Sequence, residues 1–385
     1  MTNMAKKELF DKTKPRYLKA DKKGKGAILD EFCSNTGLNR NYVVQIMQAG
    51  YDYNRAKREG RKSRRWKYDG DVINVVTKIW ELLEFPCGAR LQPVLISTLD
   101  AMVRSKEISV NNEIREKLGQ IKSKTLDRRL KKEREVRKLS RSRGITRHGS
   151  LLKSSIPIRI TNWDTSEVGF MEMDTVASNG GDPSGECIYS LDMVEIYSGW
   201  SEQIAVMGKG EVGVIKAVDK VKNVLPFELK GMDSDGGSEF INWHMVRYCE
   251  EHGLFFTRSR PYMKNDNAYV EQKNNTHIRH WIGYDRFDNQ KQLDAINDLY
   301  RNELRLFNNF FSPVMKILSK EKVNNSVCKK KYDEAKTPYQ RLMESSQLSQ
   351  EKKRDLEKLY LSLNPVELKK TINRKLKNIK KLQLN

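Results

Sequence analysis

What the chain lacks narrows it first. Its five cysteines (Cys33, Cys87, Cys187, Cys249, Cys328) lie far apart, with no CxxC pair among them. That argues against a disulfide scaffold and a cysteine-based zinc module, and it fits a reducing compartment. Histidine is equally scarce, five in 385 residues. His277 and His280 stand three apart, but no cysteine pair or second histidine pair accompanies them, so no zinc is expected. No run approaches the roughly 18 apolar residues of a membrane span. The first residues, MTNMAKKELFDKTKPRYLK, carry charge throughout and have no apolar stretch of the secretory kind. No segment repeats. These absences lead us to expect a soluble cytoplasmic protein with no membrane partner.

What is plentiful is positive charge. Lys and Arg number 72 against 50 Asp and Glu, a formal net charge of +22 with pI about 9.6. A basic but inert surface is the bland account of this excess; a polyphosphate partner, meaning nucleic acid, is the sharper one. The hydrophobic fraction of 38% is low yet sufficient for several small cores, and the length implies two to four domains.

Along the chain, residues 1–25 read as a loose basic arm. In AILDEFCSNTGLNRNYVVQIMQ, Ile28, Leu29 and Phe32 recur at helical spacing, Asn35–Gly37 break the pattern, and Val43, Val44, Ile46 and Met47 resume it. Two short helices around a glycine-bearing turn read as a helix-turn-helix, with Asn39, Arg40, Asn41 and Gln45 as candidate groove readers. Any small helical hairpin needs the same apolar stripe, so the basic charge is what favours DNA. The next segment, YDYNRAKREGRKSRRWKY, interleaves aromatics with cations, Arg64 and Arg65 among them, in a pattern suited to phosphate contacts. Val72–Leu83 and Leu91–Val103 make a second helical pair, and a further basic helix runs into a linker ending near Ser155.

Past Ile156–Pro157 the character changes. VGFMEMDTVA, CIYSLDMVE and WSEQIAVM are short strand-like runs separated by turns. A helix (211–225), a strand (226–235), a helix (241–253), a strand (254–260) and a helix (267–283) follow. Three meandering strands and then alternating helix and strand predict a mixed α/β sheet. Residues 290–311 read as one long helix, and the basic region beyond Ser312 as two, near 337–346 and 348–380. The expected domains are 1–70 (arm and helix-turn-helix), 71–120 (second helical module), 121–155 (basic helix and linker), 156–311 (the mixed α/β core) and 312–385 (basic C-terminal region).

Three carboxylates fall where these elements would gather them. Asp174 sits inside the first strand among apolar neighbours. Asp235 ends the fourth strand, before Gly236–Gly237. Glu271 lies in the first turns of the helix after the fifth strand. In open α/β sheets, ligands bind beyond the carboxyl ends of parallel strands. Carboxylates are hard oxygen ligands suited to Mg²⁺, and two such ions about 3.5–4 Å apart support phosphoryl displacement. With 50 acidic residues in the chain, three on strand ends could equally be surface or capping groups.

The motifs carry a resemblance that weighs against that bland account. Asp174…Asp235, then 35 residues (271 − 235 − 1) and Glu271, resembles the Asp–Asp–Glu signature of retroviral integrases and insertion-sequence transposases. DSDGGSEF is similar to that group's Asp-Asn-Gly-x-Glu-Phe stretch, RPYMKNDNAYVEQKN to the run around its glutamate, and SLDMVEIYSGW to its second strand. LFNNFFSPVMK and KTPYQRL look like C-terminal text of the bacterial transposases. The resemblance covers about residues 155–285. It implies an RNase H-like core holding two Mg²⁺ (or Mn²⁺) on Asp174, Asp235 and Glu271. It also implies a DNA transposase that cuts 3′ ends of a mobile element and joins them to target DNA. The enzyme would act as a homo-oligomer on double-stranded DNA, at the nucleoid of a prokaryotic host. Lys264, Asn267, Lys273 and Arg279, near Glu271, are candidate DNA contacts, although a solvated helix face would look the same. His277 and Trp281 read as packing residues. No His-His-Cys-Cys zinc module precedes the core, a departure from the retroviral pattern. Two rivals remain: a nuclease of the same fold that hydrolyses without joining, and a DNA-binding regulator descended from a transposase.

Overall fold

The computed structural model describes residues 1–48, 68–137, 166–235, 237, 239–259, 268–324 and 327–382. The chain divides into two units, Met1–Lys67 and Tyr68–Asn385.

The first unit holds α1 (Asn3–Lys19), α2 (Lys22–Thr36) and α3 (Arg40–Met47). Thr2 and Asp21 cap the first two helices through the amides of Ala5 and Gly24. Gly37 (φ 67°) takes the left-handed conformation that ends α2 and turns the chain toward α3. Phe10, Leu29, Phe32, Val43, Ile46 and Met47 form the unit's core. The loose arm expected over residues 1–25 is therefore corrected. α1 has only a faint apolar stripe, but Phe10, 3% exposed, docks it into the core of α2 and α3. Tertiary burial of one aromatic ring outweighs weak local patterning.

The second unit opens with α4 (Gly70–Leu82), α5 (Gly88–Arg104), α6 (Asn112–Gln120) and α7 (Ser123–Val136). The sheet follows: β1 (Phe170–Ala177), β2 (Ile188–Glu195), β3 (Ser201–Met207), α8 (Glu211–Lys222), β4 (Gly231–Ser234), α9 (Trp243–Glu251) and β5 (Phe255–Arg258). Its order is β3-β2-β1-β4-β5. The first three strands meander antiparallel, while β1, β4 and β5 run parallel. This is the mixed five-stranded sheet that the pattern of runs predicted. β4 is shorter than the strand expected over 226–235 and begins only at Gly231. Two asparagines close the outer edge of β3: Asn297 bonds both backbone groups of Ala205, and Asn309 those of Ser201.

α10 (Ala268–Lys273) continues through a π-helical stretch, Asn274–Arg279, into the single turn α11 (His280–Ile282). The long helix expected over 290–311 is α12 (Gln290–Leu299), a π-helical stretch Tyr300–Leu304, and α13 (Arg305–Phe310). The C-terminal region departs from expectation in two ways. A hairpin, β6 (Ile317–Asn324) and β7 (Val327–Tyr332), precedes the helices. The stretch expected as one helix over 348–380 is α15 (Gln350–Ser362) and α16 (Pro365–Lys381), after α14 (Pro338–Glu344). Asn364 caps α16 through the amides of Val366 and Glu367, and Pro365 at its first turn cannot continue α15.

One hydrophobic core runs through this unit. Ile79, Leu95, Met173, Leu191, Tyr300, Phe307, Leu342, Ile372 and Ile379 all belong to it. No described helix is long and apolar enough to cross a membrane.

Candidate active site

β1 alternates, so Glu172 and Asp174 project from the same face of the sheet. The register fixes their neighbours. Asp174 lies across from Asp192 on β2, and Glu172 lies beside Asp233 on β4. The parallel ladder ends at Met173 and Ser234, so one residue further along each strand Asp174 and Asp235 stand level.

Asp174 accepts the Thr175 amide at 2.7 Å on Oδ1 and the Asn274 side-chain amide at 2.6 Å on Oδ2. Burial, and next the charge of Asp235, push its pKa up to about 8 against those two hydrogen bonds, with Asp192 adding a smaller push. Asp235 is half-buried, and its Oδ1 accepts the Gly237 amide at 2.9 Å, which closes the turn past β4. α10 lies over this face. The Val270 amide donates to Glu172 Oε2 at 3.1 Å, and Asn274 reaches Asp174. Glu271 is next to Val270 and three residues before Asn274, so its backbone stands above the pair; its side chain lies outside the described residues.

Two carboxylates level with each other, one of them held protonated up to about pH 8 by burial and by its neighbour, bring several carboxylate oxygens to one place. An all-oxygen set of this kind fits a hard divalent cation, which would reverse the upward push on Asp174. Among the described residues no group of three or more His, Cys, Asp or Glu is assembled for a metal.

No known family profile matches the chain. The uncharacterized protein y4rM of Sinorhizobium fredii (strain NBRC 101917 / NGR234) is 31% identical to it over 328 residues, 84% of this chain and 91% of that protein. The chain belongs to the family of y4rM. Among solved structures, the catalytic core domain of BIV integrase superposes at a TM-score of 0.30 and 15% identity, covering 45% of this chain and 91% of that one. A likeness that slight carries nothing further.

In this y4rM relative, a buried polar layer that the sequence reading missed lies under α10. Gln203 Nε2 donates to Asp192 Oδ1 at 2.8 Å. Burial raises Asp192 to about 7, opposed by Gln203 and by the charge of Lys273. The Lys273 ammonium meets His277 Nε2 at 3.1 Å, and His277 Nδ1 meets Ser201 Oγ at 2.9 Å. Burial and the Lys273 charge hold His277 well below the usual histidine range, so its ring is neutral and accepts from Lys273. An aspartate flanked by Leu191 and Met193 inside a strand-like run was a signal for Asp192, as it was for Asp174. Nothing local marks Gln203 or Ser201.

The candidate DNA contacts fare unevenly. Lys273, 7% exposed, is corrected: its ammonium points inward, where burial lowers its pKa to about 7. The Arg279 guanidinium donates to the carbonyls of Ala177 (2.8 Å) and Gly283 (3.2 Å) and lies over the Tyr284 ring, which ties it to its own fold. In the first unit, the Asn39 side chain caps α3 through the Asn41 amide at 2.9 Å, and Arg40 is paired with Asp30. Asn41 and Gln45 are exposed on α3. Arg64, Arg65, Lys264 and Asn267 lie outside the described residues. His277 and Trp281 are buried, as expected of packing residues.

Proposed function

We propose that this protein is the DNA transposase of a mobile element, which binds the element's ends, cuts their 3′ strands and joins them to target DNA. The observation that carries the reading is the level placement of Asp174 and Asp235 where the parallel ladder of β1 and β4 ends, beneath the helix that bears Glu271. The Asp–Asp–Glu spacing, the net charge of +22 and the helix-turn-helix support it. Asp174, Asp235 and Glu271 would hold Mg²⁺ or Mn²⁺, which when bound activates the attacking oxygen and stabilises the leaving one.

The chain's own residues supply position. Asn274 and the Thr175 amide fix the Asp174 carboxylate, and the Asx turn to Gly237 fixes Asp235. Glu172 anchors α10 at the Val270 amide, which sets where Glu271 starts. Asn41 and Gln45 on α3 read base edges. Cleavage and joining are both displacements at phosphorus by an oxygen nucleophile, water in the first and the freed 3′-OH in the second, so one site serves both. The reading includes assembly of two or more copies on the DNA.

The test incubates the full chain with Mg²⁺, a plasmid target and a duplex carrying the inverted repeat that flanks its coding sequence. Nicking at the 3′ end followed by joined product is expected. Nicking without joining would make it a nuclease, and end binding without either a regulator.

A further inference from the structure

A cavity of about 150 Å³ opens between the α4–α5 loop, the α10 stretch and the turn after α13. That is well above the ~10–15 Å³ needed for one water. Trp281 and Phe307 give it an apolar floor, while three donors converge on it from separate elements: Arg90 of α5, Lys273 of α10 and Asn308 of α13. Asn308 is 2% exposed, and its side-chain nitrogen has no acceptor. A buried amide donor without an acceptor is destabilising unless a ligand supplies one. Lys273, 7% exposed, gives one hydrogen bond, to His277 Nε2, and has two further protons. Arg90 is half-buried, its guanidinium makes no hydrogen bond or ion pair with any described residue, and it lies close enough to Lys273 for their charges to repel.

The rim carries one acid, Glu84, but His280 Nε2 (2.6 Å) and the Lys369 ammonium both hold it. Glu84 and Phe85 take left-handed backbone (φ 62° and 61°), a conformation that non-glycine residues adopt only under strain. The turn that seats Glu84 and Leu83 on the cavity wall is thus built against local preference.

We propose that this cavity binds a phosphate group, with the Arg90 fork, the Lys273 ammonium and the Asn308 amide surrounding its oxygens. A tetrahedral oxyanion accepts from several directions at once, which suits donors arriving from three helices. The group is a free one, inorganic phosphate or a small phosphate ester, because Lys273 and Asn308 are too deeply buried for a duplex backbone to reach. The inference does not rest on strand transfer.

The test follows Tm of the full chain as sodium phosphate replaces sodium chloride at constant ionic strength. A saturable rise is expected, and Arg90→Ala and Asn308→Asp should each weaken its midpoint about tenfold or more. The Arg90 guanidinium has no partner among the described residues, so Arg90→Ala keeps the test sound should Asn308→Asp fold poorly. Binding of a short DNA duplex tests the source. If Arg90→Ala also weakens the duplex and lowers the log–log salt slope by about 1, Arg90 meets a backbone phosphate instead and the free-phosphate assignment falls. Unchanged duplex affinity with a lost phosphate response assigns a free phosphate or small ester. No rise beyond chloride, or the same midpoint in Arg90→Ala, overturns the proposal.

Discussion

Asp233 and Asp235 project from the same side of one strand, and register separates them. Asp233 sits beside Glu172, fully buried, and accepts the Thr257 hydroxyl at 2.5 Å. Asp235 is one step past the ladder, level with Asp174. Asp235→Asn is expected to abolish cleavage and joining while end binding survives. Asp233→Asn keeps an oxygen for Thr257, so activity should remain measurable at a stability cost of about 1–3 kcal/mol. A dead Asp233→Asn beside an active Asp235→Asn sinks the assignment. Asp174 makes a second prediction. Its folded pKa, about 8, exceeds its ordinary 3.8, so its contribution to stability is full below about pH 4 and is lost as pH rises through about 8. In metal-free buffer the difference in Tm between wild type and Asp174→Asn should therefore drift against the wild type over that window. Mg²⁺ should raise the wild-type Tm more at pH 8 than at pH 5, because cation and proton compete. Equal rises at both pH values would contradict a metal role for Asp174.

At the scale of elements, what was legible followed apolar patterning. β1, β2 and β3 read directly from runs such as FMEMDTVA, and α4 and α5 from their stripes. Asp174 was visible because a charge interrupts an apolar strand. The polar layer was not, because Ser201, Gln203 and His277 meet across 74 to 76 residues of sequence, and their pairing exists only once the sheet's register does. The β6–β7 hairpin was hidden for another reason. Its text, ILSKEKVNNSVCKKKY, has charges where a half-buried strand would alternate, and the ladder stands in a two-stranded sheet of its own. Lys320 pairs with Lys330, and Ser319 with Lys331. Like charges directly opposed destabilise a ladder, and a two-stranded ribbon fits a DNA major groove. Lys330 and Lys331 are exposed. Replacing both with Glu should weaken binding to any duplex, independent of sequence, and lower the salt slope by about 2. A salt titration with the variant showing an unchanged slope would remove the hairpin from the DNA surface.

At the scale of the molecule, α16 decides whether the second unit holds. Ile372 and Ile379 are buried in the same core as Val72 and Ile79 of α4, so the sheet with its carboxylates is not a separable piece. A chain cut after residue 337 uncovers Phe310, Phe311 and the α4–α5 face. It should bind a hydrophobic dye and be cleaved rapidly by protease, whereas a folded, protease-resistant fragment would show that the sheet stands alone. The same arrangement sets a clock during synthesis. The core that Val72 begins cannot close until Ile379 leaves the ribosome, 307 residues later (379 − 72). At ~5–20 residues per second that interval is roughly 15–60 s. For that time the newborn helices wait with their apolar faces open, within reach of chaperones and of one another.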